Sequence, residues 1–339
     1  MSGDGRVVRV AHGSGGRPTQ ELIREVFLEH FTSDALAAQG DSAVVDWGVG
    51  RLAFTTDAFV VSPLFFPGGD IGRLAVCGSV NDLAVAGATP RALSAAFILE
   101  EGLPIDELAR IAASMGKTAR EAGVSVVAAD TKVVERGHGD GIFITTSGVG
   151  RLHEKAPPSP PVVSAGDVVL VSGPIGDHGA VIAAFRSGIT PAGGLASDCA
   201  PVTPLCHALL EANVGVRFMR DPTRGGLATV LAELAQQTSV TVRVREADIP
   251  VREGVRAVTE LLGLDPLYLA CEGRVVAVVA RDRAAAALEA LTRTPGGEQA
   301  RIIGEVAARS AQSPVVLETT YGGHRRYDLM SGEQLPRIC

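Results

Sequence analysis

The sequence predicts an α/β (α+β) protein of two domains, and three observations carry that expectation. Strand-like and helix-like patterns alternate along most of the chain. The composition is 46% hydrophobic with 40 glycines and only 4% aromatic residues, which describes an alanine- and valine-rich globular protein rather than a disordered or fibrous one. Near the middle, Lys155-Ala-Pro-Pro-Ser-Pro-Pro forms a stiff connector. At 339 residues, two cores of ordinary size fit better than one. The expected layout is a first domain over 1–155, a second over 162–320, and a mobile tail over 321–339 with little to bury.

Within the first domain, Pro18 opens a periodic stretch (Leu22, Ile23, Val26, Phe27) that suits a helix with proline in its first turn. Residues 52–57 and 92–99 read as buried strands. Residues 71–87 and 105–122 read as helices, the second opened by Pro104 and closed by Gly123. Strands follow at 124–130 and 142–149. After the connector the pattern predicts a strand at 168–172, helices at 177–186 and 224–236, and a strand at 240–245. Helix 252–262, strand 274–280, helix 283–293 and strand 301–307 complete the second unit.

The formal charge of −7 argues against nucleic-acid and membrane-surface partners, since both attract a cationic face. It leaves room for an anionic substrate carried by Mg²⁺. The opening Met-Ser-Gly-Asp-Gly-Arg lacks the apolar core of a secretory signal. No stretch approaches the roughly 18 apolar residues of a membrane span. Five cysteines, an odd number without a CxxC pair, make neither a disulfide framework nor a zinc site. The expectation is a cytoplasmic protein with reduced thiols, in which Cys77, Cys199, Cys206 and Cys271 are packing residues. Cys339 differs because it is the last residue.

The chemistry-bearing residues are acids, glycines and one lysine. His12-Gly-Ser-Gly-Gly follows a short apolar strand and precedes a helix, so the backbone N–H groups of Gly13, Ser14, Gly15 and Gly16 can converge on an anion. It is neither GxxxxGK[ST] nor GxGxxG, and a structural turn would look the same. Asp41, Asp57, Asp82, Asp130 and Asp221 stand at strand ends, in an apolar helix, or just before a helix. A cap or turn explains any one of them, but five beside glycine-rich loops fit Mg²⁺ held by a few carboxylates and phosphate oxygens. Lys132 is one of three lysines, with Lys117 and Lys155, in a chain of 31 basic residues. A compact ammonium after Asp130-Thr131 suits a phosphate, although a solvated lysine reads the same. Glu272, in Ala-Cys-Glu-Gly-Arg, reads equally as a buried base or a turn residue.

Taken together, these residues resemble the HypE family of hydrogenase maturation, the carbamoyl dehydratases that make cyanide ligands for nickel–iron hydrogenases. The resemblance runs over nearly the whole chain. It rests on Ala-His-Gly-Ser-Gly-Gly (11–16), Ser-Pro-Leu-Phe-Phe-Pro-Gly-Gly (62–69), Asn81-Asp82, Phe-Ile-Leu-Glu-Glu-Gly-Leu-Pro (97–104) and Asp-Thr-Lys-Val-Val (130–134). It continues with Gly-Asp-His-Gly-Ala (176–180), Asp-Pro-Thr-Arg-Gly-Gly (221–226), Glu272-Gly273 and the terminal Pro-Arg-Ile-Cys (336–339). Around Glu272 the family commonly has Asn and Lys where this chain has Cys271 and Arg274.

The resemblance implies a two-domain PurM-like fold, shared with aminoimidazole ribonucleotide synthetase and selenophosphate synthetase, whose N-terminal domains pair through their sheets in a homodimer. It implies ATP and Mg²⁺ as cofactors. A carbamoyltransferase, HypF, would load a carbamoyl group onto Cys339, and an iron-carrying HypC–HypD complex would receive the product. ATP would phosphorylate the thiocarbamate oxygen so that it leaves as phosphate, giving S-cyanated Cys339. Cys339, Glu272 and Lys132 would carry the chemistry, as carrier, proton acceptor and charge stabiliser. Gly13, Ser14, Gly15, Gly16, Asp41, Asp57, Asn81, Asp82, Asp130, Thr131 and Asp221 would hold the nucleotide, with Asp41, Asp57, Asp82 and Asp221 on the metal. Two alternatives stay open: another ATP-dependent enzyme of the superfamily, and a thiol carrier that binds ATP only structurally. Neither a ligase nor a selenophosphate synthetase accounts for Pro-Arg-Ile-Cys, and no cysteine precedes Cys77.

Overall fold

The computed structural model describes residues 17–22, 24, 43–46, 48, 50–190, 193–309, 314–330 and 335–339. Gly13, Ser14, Gly15, Gly16 and Asp41 lie outside the described residues. After α1 (Arg17–Leu22), the first domain contains β1 (Ala43–Asp46), β2 (Arg51–Phe59), the short β3 (Phe65–Phe66) and β4 (Gly69–Asp70), α2 (Ile71–Val85), β5 (Ala88–Glu100), α3 (Ile105–Glu121), β6 (Ser125–Val134) and β7 (Ile142–Leu152). Its sheet has the order β1-β2-β7-β5-β6, antiparallel except for the parallel pair β5 and β6. The second domain follows with β8 (Val168–Val171), α4 (Asp177–Arg186), α5 (Thr203–Glu211), β9 (Phe218–Arg220), α6 (Gly226–Thr238), β10 (Thr241–Arg245), α7 (Glu253–Leu262), β11 (Val276–Val279), α8 (Ala284–Thr292), β12 (Arg301–Ala307), β13 (Val315–Glu318) and β14 (His324–Tyr327). Its seven strands are ordered β14-β13-β10-β12-β8-β11-β9.

Local chemistry explains the helices that carry the architecture. Asp70 caps α2 by accepting from the N–H groups of Gly72 (2.8 Å) and Arg73 (3.0 Å), a device of roughly 1 kcal/mol. Residues Leu74 to Val85 are buried almost without interruption. A helix apolar on every side must be covered on every side. One flank lies on β2, β5 and β7, and the others meet α3 and, from the second domain, α5 and β9. α2 is therefore the axle between the two domains. α3 instead buries one stripe, Ile111, Met115 and Ala119. It ends where expected: Gly123 takes φ +69°, while the N–H groups of Gly123 and Val124 return to the carbonyls of Arg120 and Ala119.

Three expectations differ from the structure. The tail was expected to bury little, yet Tyr327 and Leu329 enter the second-domain core and Ile338 the first. β14 pairs with β13, because backbone hydrogen bonding to an open sheet edge needs no apolar sequence signature. Asp130 does not end its strand. β6 runs on to Val134 because β5 offers a parallel partner as far as Glu100, so Asp130, Thr131 and Lys132 stand inside an exposed strand. Asp57 likewise precedes the end of β2 at Phe59.

Behind the contact between domains lies a buried charge cluster. Asp177, the first residue of α4, has both carboxylate oxygens buried without a hydrogen bond. Arg252 (3.3 Å) and Arg274 (3.7 Å) approach it as ion pairs, and Arg274 also approaches Asp198 (3.5 Å). Burial, followed by the charge of Asp198, pushes Asp177 from 3.8 up to about 6. An acid raised on folding stabilises most below its unfolded pKa, and that contribution is lost as pH rises through the folded value. The shift corresponds to about 3 kcal/mol. Comparing urea-denaturation midpoints of the wild type and Asp177→Asn at about pH 4 and about pH 7.5 should show the difference moving in the variant's favour by up to about 3 kcal/mol at the higher pH. A pH-independent difference would contradict the assignment.

Candidate active site

Glu272 sits where the two domains converge, in the loop entering β11. Asp198 accepts from the N–H groups of Glu272 (3.1 Å) and Gly273 (3.3 Å). On the other side, Asn81 of α2 donates its amide to the carbonyls of Glu272 and Ala200 (both 3.1 Å) and accepts from the N–H of Val202 (2.8 Å). Both ends of the Asn81 amide are thus spent on main chain, and the residue is buried. Asn81, expected beside a nucleotide, here ties the axle helix to the Glu272 loop. Gly273 makes the close approach feasible, since a Cβ there would lie 1.9 Å from the Asp198 carbonyl oxygen. The neighbours peculiar to this chain also serve the loop. The Cys271 thiol accepts from the Gly176 N–H (3.1 Å), and Arg274 donates to the carbonyls of Pro174 (2.9 Å) and Gly296 (3.2 Å).

The Glu272 carboxyl itself is buried, and its Oε1 has no hydrogen-bond partner. Burial first, then the negative charges of Asp221, Asp198 and Asp57, push its pKa well above the ordinary glutamate range. Asp82 accepts from the Thr55 hydroxyl (2.6 Å), and Asp57 accepts from the N–H of Ala58 (3.0 Å) while facing Gly78 of α2. The structure thus brings Asp57, Asp82, Asp221 and Glu272 into one electrostatic neighbourhood.

Arg224 supplies the cation in that neighbourhood. Its pKa is raised, first by Cys339, then against burial by Asp57, Glu272 and Asp82. It belongs to the quoted Asp-Pro-Thr-Arg-Gly-Gly motif, so a signal existed, although only Asp221 was singled out there. The turn that presents it needs glycine: Gly226 has φ +59°, and a Cβ on it would meet the Leu269 carbonyl at 2.5 Å. Asp198, by contrast, lies in a loop with no distinguishing pattern.

Cys339 reaches this place in its own subunit. Its carboxylate accepts from the N–H of Val60 (3.0 Å), just beyond β2. The other four cysteines are buried and Cys339 is half-buried, in line with the division expected between packing thiols and a terminal one. Burial, or for Cys199 first a hydrogen bond with Cys77, raises the pKa of Cys199, Cys206 and Cys271 and keeps those thiols protonated.

Lys132, Asp130 and Thr131 are not drawn into this set. Lys132 Nζ contacts both carboxylate oxygens of Asp130 (2.8 and 2.6 Å) on the exposed strand, and Asp130 is lowered by that hydrogen bond and by the Thr131 N–H. Among the described residues, no three His, Cys, Asp or Glu side chains are grouped so as to hold a metal by themselves. The oxygen-only, mutually repelling set of Asp57, Asp82 and Asp221 nevertheless fits Mg²⁺, which takes one or two carboxylates and completes its shell with phosphate and water.

Comparison with known proteins shows the family. Residues 39–152 match the family AIR synthase related protein, N-terminal domain, and residues 164–316 its C-terminal domain. The carbamoyl dehydratase HypE of Azotobacter vinelandii is 50% identical over 332 residues, covering 98% of this chain and 97% of that protein. The HypE subunit in a crystal structure of a HypE–HypF complex superposes with a TM-score of 0.85 at 46% identity, covering 91% of this chain and 99% of that one. A crystal structure of HypE in complex with ATP gives a TM-score of 0.82 at 47% identity, covering 98% and 100%. With two domains of the PurM-like kind and relatives of this identity along almost its whole length, the chain belongs to the HypE carbamoyl dehydratase family.

Proposed function

We propose that this chain dehydrates a carbamoyl group carried on the sulfur of Cys339 to a cyano group, using ATP, for the cyanide ligands of a nickel–iron hydrogenase. The observation that carries the reading is the docking of the last residue beside Arg224, in the neighbourhood of Glu272. The carrier residue and the buried acid thereby share one cation, Arg224.

The chain's own groups divide the work. Cys339 carries the substrate and is not the nucleophile of the dehydration. Glu272, ionised at the moment of reaction, accepts a proton from the carbamoyl nitrogen. Arg224 holds the carrier residue and balances negative charge as it develops. Asp57, Asp82 and Asp221, together with Asp41, would hold Mg²⁺ on the phosphates, with Gly13, Ser14, Gly15 and Gly16 around them. Bound MgATP supplies the phosphoryl group that makes the thiocarbamate oxygen a leaving group. Lys132, Asp130 and Thr131 would meet the nucleotide from β6.

That strand also argues for a second copy. β6 is exposed along its length, and Val126, Val127 and Val133 are exposed on it beside Ile98 of the neighbouring β5, with Phe54 exposed on β2 of the same sheet. Apolar side chains grouped on an open sheet suit pairing of two N-terminal domains in a homodimer. A HypF-type carbamoyltransferase would load Cys339, and an iron-carrying HypC–HypD complex would receive the cyanide.

Three measurements test this reading. Mass spectrometry of the carbamoylated protein should register the loss of one water at Cys339 on adding MgATP, and none in Cys339→Ala; retention of the carbamoyl mass during ATP turnover would overturn the function. Glu272→Gln should slow dehydration by about 10²- to 10⁴-fold. In the wild type the rate should climb as pH rises through the raised pKa of Glu272, because a base must first lose its proton, and the variant should lack that climb. Val127→Asp should shift sedimentation toward the monomer; an unchanged dimer would place the pairing elsewhere.

A further inference from the structure

The last residues are held mainly by their main chain, although the Arg337 guanidinium also donates to the Val60 carbonyl (2.9 Å) and pairs with Asp140, and Ile338 packs into the first-domain core. The carbonyls of Pro336 and Arg337 both accept from the Arg186 guanidinium, whose Nε also binds the Ser62 carbonyl (2.7 Å). The Ile338 carbonyl accepts from Nε2 of His178 (2.8 Å), and a carboxylate oxygen of Cys339 from the Val60 N–H. Three consecutive carbonyls are thus held by side chains from the two ends of α4, and the oxygen that follows them by main chain. A carbonyl can only accept, so Nε2 carries the proton. Nδ1 then accepts from the Ser197 hydroxyl (2.8 Å), whose oxygen in turn takes the Cys199 N–H (3.1 Å). Phe66 meets the imidazole edge-on at 5.2 Å, and burial keeps the ring neutral.

Two further observations mark this grip as adjustable. Arg337 is held at φ +55°, a left-handed conformation that a non-glycine residue keeps only when its surroundings impose it. Arg186 lies at the surface, whereas His178 is buried. One end of the grip can therefore open without disturbing a core.

We propose that His178 and Arg186 form a latch on the carbonyls of the tail, positioning Cys339 for dehydration and setting how often it is released for loading. The proposal rests on the dehydratase reading above. A thiol docked in the seam is sheltered from a separate carbamoyltransferase, while a released thiol is away from Glu272. The two steps draw on opposite states of one equilibrium, and the latch sets its position. Both latch residues act through the tail and are positioning residues.

The test uses the full-length chain and its Arg186→Ala, Arg186→Lys and His178→Gln variants. The first readout is the rate of Cys339 alkylation by iodoacetamide, followed on the C-terminal peptide. Removing a forked, charged donor should raise that rate about tenfold. Arg186→Lys, which keeps the charge but not the fork, should fall between. The second readout compares the steps directly: Arg186→Ala should be loaded at least as fast by the carbamoyltransferase and dehydrate more slowly. Opposite signs separate a latch from general damage. Unchanged alkylation, or parallel losses in loading and dehydration, would overturn the proposal. If the wild type itself failed to dehydrate, the functional reading would fall, while the alkylation rates would still decide the latch.

Discussion

A buried carboxyl with one oxygen left without a hydrogen bond is the constraint around which this molecule is organised. Glu272 is placed in a low-dielectric seam beside other acids, an arrangement that favours its neutral form and opposes folding whenever it ionises. Such a group keeps its position only if the main chain around it is over-determined. Asp198 grips its N–H from the second domain and Asn81 grips its carbonyl from the first. The Asn81 amide also joins the domains, binding Ala200, Val202 and Glu272 of the second, so the geometry of the base and the packing between domains are one problem.

The electrostatics follow from that choice. Asp221 and Asp57 push Glu272 up, while Arg224 is raised by the charges of Asp57, Glu272 and Asp82. The tail arrives by neutral carbonyls at Arg186 and His178, while Cys339 adds a negative charge beside Arg224. The tail ends in a docked, strained turn rather than in free chain, and the thiol comes into reach of the site as a consequence of main-chain recognition.

The two faces of the first domain have opposite character. α2 is sealed between its own sheet and the second domain, while β6 presents valines and the Asp130–Lys132 pair outward. The buried side orders the acid and the carrier. The open side is where lysine and a second subunit enter the proposed site.

The periodic patterns in the sequence determined most of the strands and helices, because apolar spacing of 2 or 3.6 residues is a local property. The helix end at Gly123, the buried run 71–85 and the strand 301–307 are of this kind. So were Glu272 and Cys339, one lodged between apolar runs and the other terminal. α5, β13 and β14 escaped notice, since short elements are stabilised by partners distant in sequence rather than by their own pattern. Only the tertiary structure decided that Asn81 holds main chain, that Asp198 and Arg224 frame Glu272, and that α4 grips the tail. Each of those roles depends on hydrogen bonds or charges between residues far apart along the chain, from 48 for Arg224 to 191 for Asn81, and no local pattern encodes such distances.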